Sequence, residues 1–192
     1  SGMSQVLRKE QQPVIDLPKL LQRFHVLPTG QTMNSSTEIA LAVNDTMAYV
    51  YSLKPENSLK EIADVLRNDP RIDLITWQED GWIHCVNAGD PTSMRFKAGG
   101  DWIDPYHQSW TVQGTEQILD LKRESTSRRN KSRHITYGKY PDPLRRLQGA
   151  LQSHEGRFLI VTAKPGYELA EAGAPTHSGG GAHGGLDASA SL

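Results

Sequence analysis

The sequence predicts an α+β fold: a small mixed or antiparallel sheet with helices on one face, followed by a strand and a glycine-rich loop. Three observations lead there. Residues 38–53 carry apolar side chains at period two, the pattern of half-buried strands, and residues 72–97 hold short apolar runs separated by turn residues. Residues 58–69 between them repeat apolar side chains at helical spacing instead. Two strands, a helix and then more strands do not make the regular alternation of a parallel sheet, and point to an antiparallel or mixed layer with helices packed on it. At 192 residues the chain can build one substantial core, or two small ones, without disulfide or metal staples.

Each element has a local cause. Asp16 as N-cap, Pro18 in the first turn and Leu17, Leu20, Leu21 and Phe24 at helical spacing predict a short amphipathic helix. Ile39, Leu41 and Val43 before Asn44-Asp45, with Met47, Tyr49, Tyr51 and Leu53 after it, predict a hairpin. Ser58 and Glu61 have the spacing of a capping box, Leu59, Ile62, Ala63 and Leu66 form one apolar face, and Asp69-Pro70 ends that helix. Residues 72–77, 82–86 and 93–97 read as a meander, joined by the turns Gln78-Glu-Asp-Gly81 and Asn87-Ala-Gly-Asp90. A further strand is expected at 110–112 and a short helix at 115–121. Asp142 as N-cap with Pro143 at the first helical position opens a helix with the stripe Leu144, Leu147 and Leu151. The continuous apolar run 158–162 reads as a strand buried on both faces, broken by Lys164-Pro-Gly-Tyr167.

Composition narrows the function classes. Lysine and arginine number 21 against 22 acidic residues, a net charge of -1, so no global field draws the chain to nucleic acid or an anionic membrane. No nucleic-acid partner is expected on that ground, and any such contact has to be local. No apolar run approaches the roughly 20 residues that span a bilayer. The single cysteine, Cys85, excludes an internal disulfide framework and a cysteine cluster for zinc. His84 beside it lacks a third orienting group, and packing is the simpler reading of the pair. Asp101, Asp104 and His107 recur at intervals of three, a spacing that brings ligands together on a helix, although Trp102 and Pro105 argue for a turn. Residues 122–134 hold six lysines and arginines with no aromatic among them. Arg128, Arg129 and Arg133 there are candidates for holding a phosphate, against the plainer reading of a solvated loop. No residue of the chain presents itself as catalytic.

The last 35 residues carry the most specific pattern. Phe158-Leu-Ile-Val-Thr-Ala-Lys-Pro-Gly-Tyr167, followed by Thr176-His-Ser-Gly-Gly-Gly-Ala-His-Gly-Gly-Leu186, resembles the C-terminal stretch of the alkaline phosphatase superfamily, in its type I phosphodiesterase and nucleotide pyrophosphatase branch. The resemblance implies that His183, followed by Gly184 and Gly185, is a metal ligand, while His177 precedes the loop. It also implies two metal ions, commonly zinc, that hold an activated Thr or Ser against phosphorus and lead through a covalent intermediate that water cleaves. It implies a phosphate-ester substrate as well. Val14-Ile-Asp-Leu17 and the helix after it resemble the stretch that comes after the family's Asp-His-Gly segment, which is itself absent here. The nucleophile and the remaining ligands are absent too, so the chain by itself is expected to be inert.

On this reading residues 1–3 are a tag remnant, 4–155 a cap or accessory α+β domain, and 156–192 the catalytic-core strand and metal-ligand loop. The alternative is a non-catalytic binding module that recognises an anionic ligand or a protein partner.

Overall fold

Turn chemistry and alternation produce the hairpin at 38–53 and the strands at 72–97 where the sequence puts them, whereas the helix expected at 115–121 is a 3-10 turn at Glu116–Leu119 followed by a strand from Leu121; the computed structural model describes residues 4–5, 14–28, 30–126, 132–171 and 181–182. In chain order the elements begin with β1 (Ser4–Gln5), β2 (Val14–Asp16), α1 (Leu17–Leu20), β3 (Ile39–Asn44), β4 (Met47–Ser52) and α2 (Leu59–Leu66). A meander comes next: β5 (Ile72–Glu79), β6 (Trp82–Asn87), β7 (Met94–Ile103) and β8 (Ser109–Gly114). Then come a 3-10 turn (Glu116–Leu119), β9 (Leu121–Ser125), β10 (Arg133–Tyr137), α3 (Pro143–Gln152), β11 (Phe158–Ala163), β12 (Glu168–Ala170) and β13 (Gly181–Ala182).

The hairpin turns use residues that tolerate left-handed backbone. Asp45 (φ 53°) turns β3 into β4, and Asp80 (φ 52°) with Gly81 (φ 78°) joins β5 to β6 across the Glu79–Trp82 pair. In α2 the capping box forms as its spacing foretells: Glu61 N–H donates to Ser58 Oγ at 3.1 Å and Ser58 N–H to Glu61 Oε2 at 3.4 Å. Asp142 stands at the start of α3 but in left-handed backbone (φ 45°), and its side chain makes no cap bond. Strand β7 runs on to Ile103, beyond the 93–97 that alternation predicts, because a bulge at Gly99-Gly100 absorbs the break in register against β8. Gly100 has φ 121°, and a Cβ there would sit 2.3 Å from Thr111 Oγ1.

Among the described residues nine strands make one mixed sheet in the order β3-β4-β11-β5-β6-β7-β10-β9, with β8 paired to β7. Only the short β10–β7 contact in it is parallel. The α+β class therefore holds. Alternation along each strand feeds two cores on opposite faces. Val50, Ile75, Leu159 and Val161 face α1 and α2, whereas Leu74, Cys85, Phe96 and Ile160 face α3 and the 3-10 turn. The helices expected on one face thus occupy both, because β4, β5 and β11 are apolar on both sides and each side needs cover. β11 is buried along its whole length and pairs antiparallel with β4 and β5. The 155/156 boundary expected from the sequence falls just before this strand, which lies in the sheet between β4 and β5.

Two small ladders stand apart from the large sheet. β12 pairs parallel with β2, and β1 pairs antiparallel with β13, with Ser4 opposite Ala182 and Gln5 opposite Gly181.

Candidate functional site

The first and last described strands meet, β1 with β13 and β2 with β12. Ile15, Leu17 and Leu21 from the N-terminal side and Leu169 from the C-terminal side are buried in the first core, which holds β2 and β12 against the sheet. Backbone bonds tie the β2–β12 ladder, the terminal module, to the sheet: Leu169 N–H donates to Asp45 O at 2.8 Å, and Lys164 N–H to Arg71 O at 2.9 Å. Arg71 is the clamp. Its guanidinium pairs with Asp69 at 2.7 Å and reaches Val14 O at 3.2 Å, so one side chain fixes both the end of the α2 segment and the start of β2. The Asp69 carboxyl is held below the usual range, first by the hydrogen bond from Arg71. A cleft opens beside this clamp, lined by Val14, Asp16, Lys19, Leu20, Val65 and Arg71. From the module the chain passes through β13, and His183 is the next residue after Ala182.

His183, the expected metal ligand, lies outside the described residues, as do His177, Arg128 and Arg129. Arg133 is described, and it is exposed on β10. The surrounding segment is less of a loop than its charge suggests: β9 and β10 pair over five residues, and Arg133 stands opposite Ser125. Arg133 Nη1 lies 3.4 Å from Asp101 Oδ2, and its guanidinium carbon is 5.7 Å from the centre of the Trp102 ring. Arg123 approaches the same ring at 5.5 Å. The aromatic missing from the basic segment is therefore supplied by β7, a neighbour that sequence spacing does not reveal.

Arg123 is nevertheless a structural cation. It pairs with Glu116 at 2.8 Å and donates to Val112 O at 2.8 Å and Gly114 O at 3.3 Å. Thr115 N–H bonds back to Ser93 O, so the alternating ladder turns the backbone groups of Val112 and Gly114 away from β7. Arg123 thus caps the open edge of β8, where unpaired carbonyls would otherwise invite another strand.

Asp101, Asp104 and His107 do not gather. Asp101 is exposed, and His107 sits in left-handed backbone (φ 62°). Asp104 is 4% exposed and accepts from Trp110 Nε1, Tyr137 Oη and Gln108 Nε2, each at 2.9 Å, and from the N–H groups of Tyr106 and Gln108. Burial works to raise its pKa, but these donors, Trp110 foremost, outweigh burial and hold the carboxyl below the usual range. Tyr137 is pushed well above the usual phenol range, by burial first and then by its bond to Asp104. The motif is an architectural hub with its acceptor capacity filled by donors, not a metal site. Among the described residues no group of three or more His, Cys, Asp or Glu is placed to hold a metal ion.

His84 and Cys85 part company across the sheet. Cys85 points into the second core, where burial pushes its thiol up to about 12. His84 lies on the other face, stacked on Trp77 with ring centres 5.3 Å apart, and burial lowers its pKa. A thiol and an imidazole on opposite faces cannot exchange a proton directly.

One cluster is not foreseen from the sequence. Arg95 and Lys97 of β7 lie over the Trp82 ring of β6 at 4.1 and 4.5 Å. The signal is present, since Arg95 and Lys97 share a face at spacing two, but their pairing with Trp82 depends on strand register. Compared with family models, with curated proteins and with solved structures, the chain matches none.

Proposed function

We propose that this chain is the C-terminal part of a metal-dependent phosphodiesterase or phosphatase-like hydrolase of the alkaline phosphatase superfamily, in which the nine-stranded sheet is an accessory domain set into a catalytic core. The observation that supports this most is the pairing of the first described strands with the last. A domain inserted into a larger fold leaves and returns at neighbouring points. Here β2 pairs with β12 and β1 with β13, outside the large sheet. The glycine-rich loop with its His-Gly pair then continues directly from β13.

In this reading His183 is a first ligand to the metal pair, and Gly184 and Gly185 let the backbone come close to the ion. The pair, commonly zinc, supplies charge stabilisation at the phosphorus oxygens when bound. The described residues offer no metal cluster of their own, so the other donors and the nucleophile come from the rest of the parent enzyme. The sheet domain shapes access to the site, and Arg71 holds the module from which the loop departs.

The test uses the natural reading frame that encodes Ser4 onward. It should contain an Asp-His-Gly segment shortly upstream, with a Ser or Thr nucleophile further back, and its product should hydrolyse a p-nitrophenyl phosphodiester only when loaded with zinc. His183→Ala should lower both zinc content and turnover strongly, and His177→Ala much less. Full zinc occupancy in His183→Ala, or zinc-dependent turnover by the present chain alone, overturns the reading.

A further inference from the structure

The face of the sheet opposite the second core is only half covered. Helices α1 and α2 pack over it as far as Trp77 and Val86, and no residue of β7 or β8 joins that core. Beyond this limit the same face continues across β6, β7 and β8 with no helix of the described residues over it. Register places its side chains in two rows. Trp77, His84, Arg95 and Gln113 succeed one another across the strands in the first row. In the second row Glu79 stands opposite Trp82, and Lys97 opposite Thr111. Lys97 and Gln113 are exposed, while Trp82, His84 and Arg95 are half-buried.

Among the described residues the cations of this face have no anionic partner. Neither Arg95 nor Lys97 has a carboxylate within ion-pair distance among the described residues; Arg95 donates instead to the neutral Gln113 Oε1 at 2.9 and 2.7 Å. Both lie over the Trp82 ring. Glu79 is the one acid in the two rows and stands at the end away from β8, so the positive side is the β7–β8 side. Arg123 and Arg133, beside Trp102, are by contrast each paired with an acid.

We propose that this open face of β6, β7 and β8 is a binding platform for single-stranded nucleic acid. Trp82 and His84 are two residues apart on one strand, and Arg95 and Lys97 two residues apart on the next. Two residues of strand span about 6.6 Å, so the rings and the cations repeat in step along the chain direction. A single strand laid along β7 sets successive phosphates against Arg95 and Lys97, drawing them off the Trp82 ring that they cover, and a base takes their place on that ring; His84 stays stacked on Trp77, and Gln113 and Thr111 are polar neighbours. That combination of stacking surface and unpaired cations is what sequence-tolerant binding of single strands uses. An acidic peptide would satisfy the cations but leave the rings without a role. The net charge of -1 does not oppose this, because the contact is local. The inference is independent of the hydrolase reading, since it concerns the present chain and needs no metal.

The experiment is fluorescence anisotropy of a labelled thymidine oligonucleotide with the present chain in metal-free buffer. Binding is expected in the range of roughly 10⁻⁴ to 10⁻⁶ M, with log K falling against log salt at a slope of about -1.4 for two phosphate contacts. The double variant R95Q/K97Q, changed at the surface, should bring that slope close to zero. W82A should weaken binding by roughly tenfold or more, and W82F, which keeps a ring and guards against a folding defect, should lose less. R133Q should bind as the parent does. No binding in that range, an unchanged slope in R95Q/K97Q, or displacement of the oligonucleotide by poly-glutamate at equal charge concentration overturns the proposal; the last result would assign the face to acidic polypeptides.

Discussion

Asp104 shows how much one side chain carries. Five donors converge on its carboxylate, drawn from the loop after β7, from β8 and from β10, so it joins three segments that the chain visits separately. Asp104→Asn puts an amide donor among donors and should destabilise the fold by about 2–4 kcal/mol in urea denaturation at pH 7. The lowered pKa sets the sign of the pH dependence. The carboxylate contributes fully above the unfolded value, about 3.9, and its contribution is lost as pH falls through the lower folded value. The stability gap between parent and variant should therefore narrow below about pH 4, and a gap that is constant with pH would contradict the assignment. In the sequence Asp104 is legible only as one of three spaced candidates for a metal. Its role is decided by Trp110 and Tyr137, and the latter is 33 residues away.

At the scale of elements, local chemistry is enough for some parts and not for others. α2 carries its instructions in eight residues and its cap: Ser58 and Glu61 satisfy two end groups, and Leu59, Ile62, Ala63 and Leu66 are all buried. Ser58→Ala should cost about 1 kcal/mol in the same urea measurement, with the slope against denaturant unchanged. The turn at Asp80-Gly81 is equally local, because it needs only two residues that accept left-handed backbone. The basic segment 122–134 is the contrary case. Its charge suggests a solvated loop, yet it supplies two paired strands, and Arg123 spends its charge on Glu116 and on the open edge of β8. A run of like charge tells how a segment is solvated, but not which carbonyls lie within reach of a guanidinium.

For the whole molecule the decisive placement is that of β11. It is the eleventh strand in the chain and the third in the sheet, between β4 and β5. Phe158, Leu159, Ile160, Val161 and Ala163 divide between the two cores or line its pairing partners, and all are buried. A chain ending at residue 155 should consequently show no cooperative thermal or urea transition, whereas one ending at residue 171 should retain it. A folded 1–155 fragment would restore the boundary drawn from the sequence. The same placement ties the terminal module to the sheet, since β12 comes after β11 across a four-residue break and reaches back to the β3–β4 turn.

The amino-acid sequence by itself determined which residues turn, cap and face inward, because those properties depend on side chains a few positions apart. The hairpins, the α2 capping box, the buried run at 158–162 and the α+β class are all legible in it. The tertiary structure alone decided which strands lie side by side: β11 in the centre, β10 parallel beside β7, and the first described strands paired with the last. It alone also brought Trp82 under Arg95 and Lys97, and Arg123 and Arg133 to the ring of Trp102. The reason is physical. A period of two states which face of a strand is apolar, but the neighbour that covers it or stacks on it is chosen by packing between segments tens of residues apart, where the sequence holds no spacing to read.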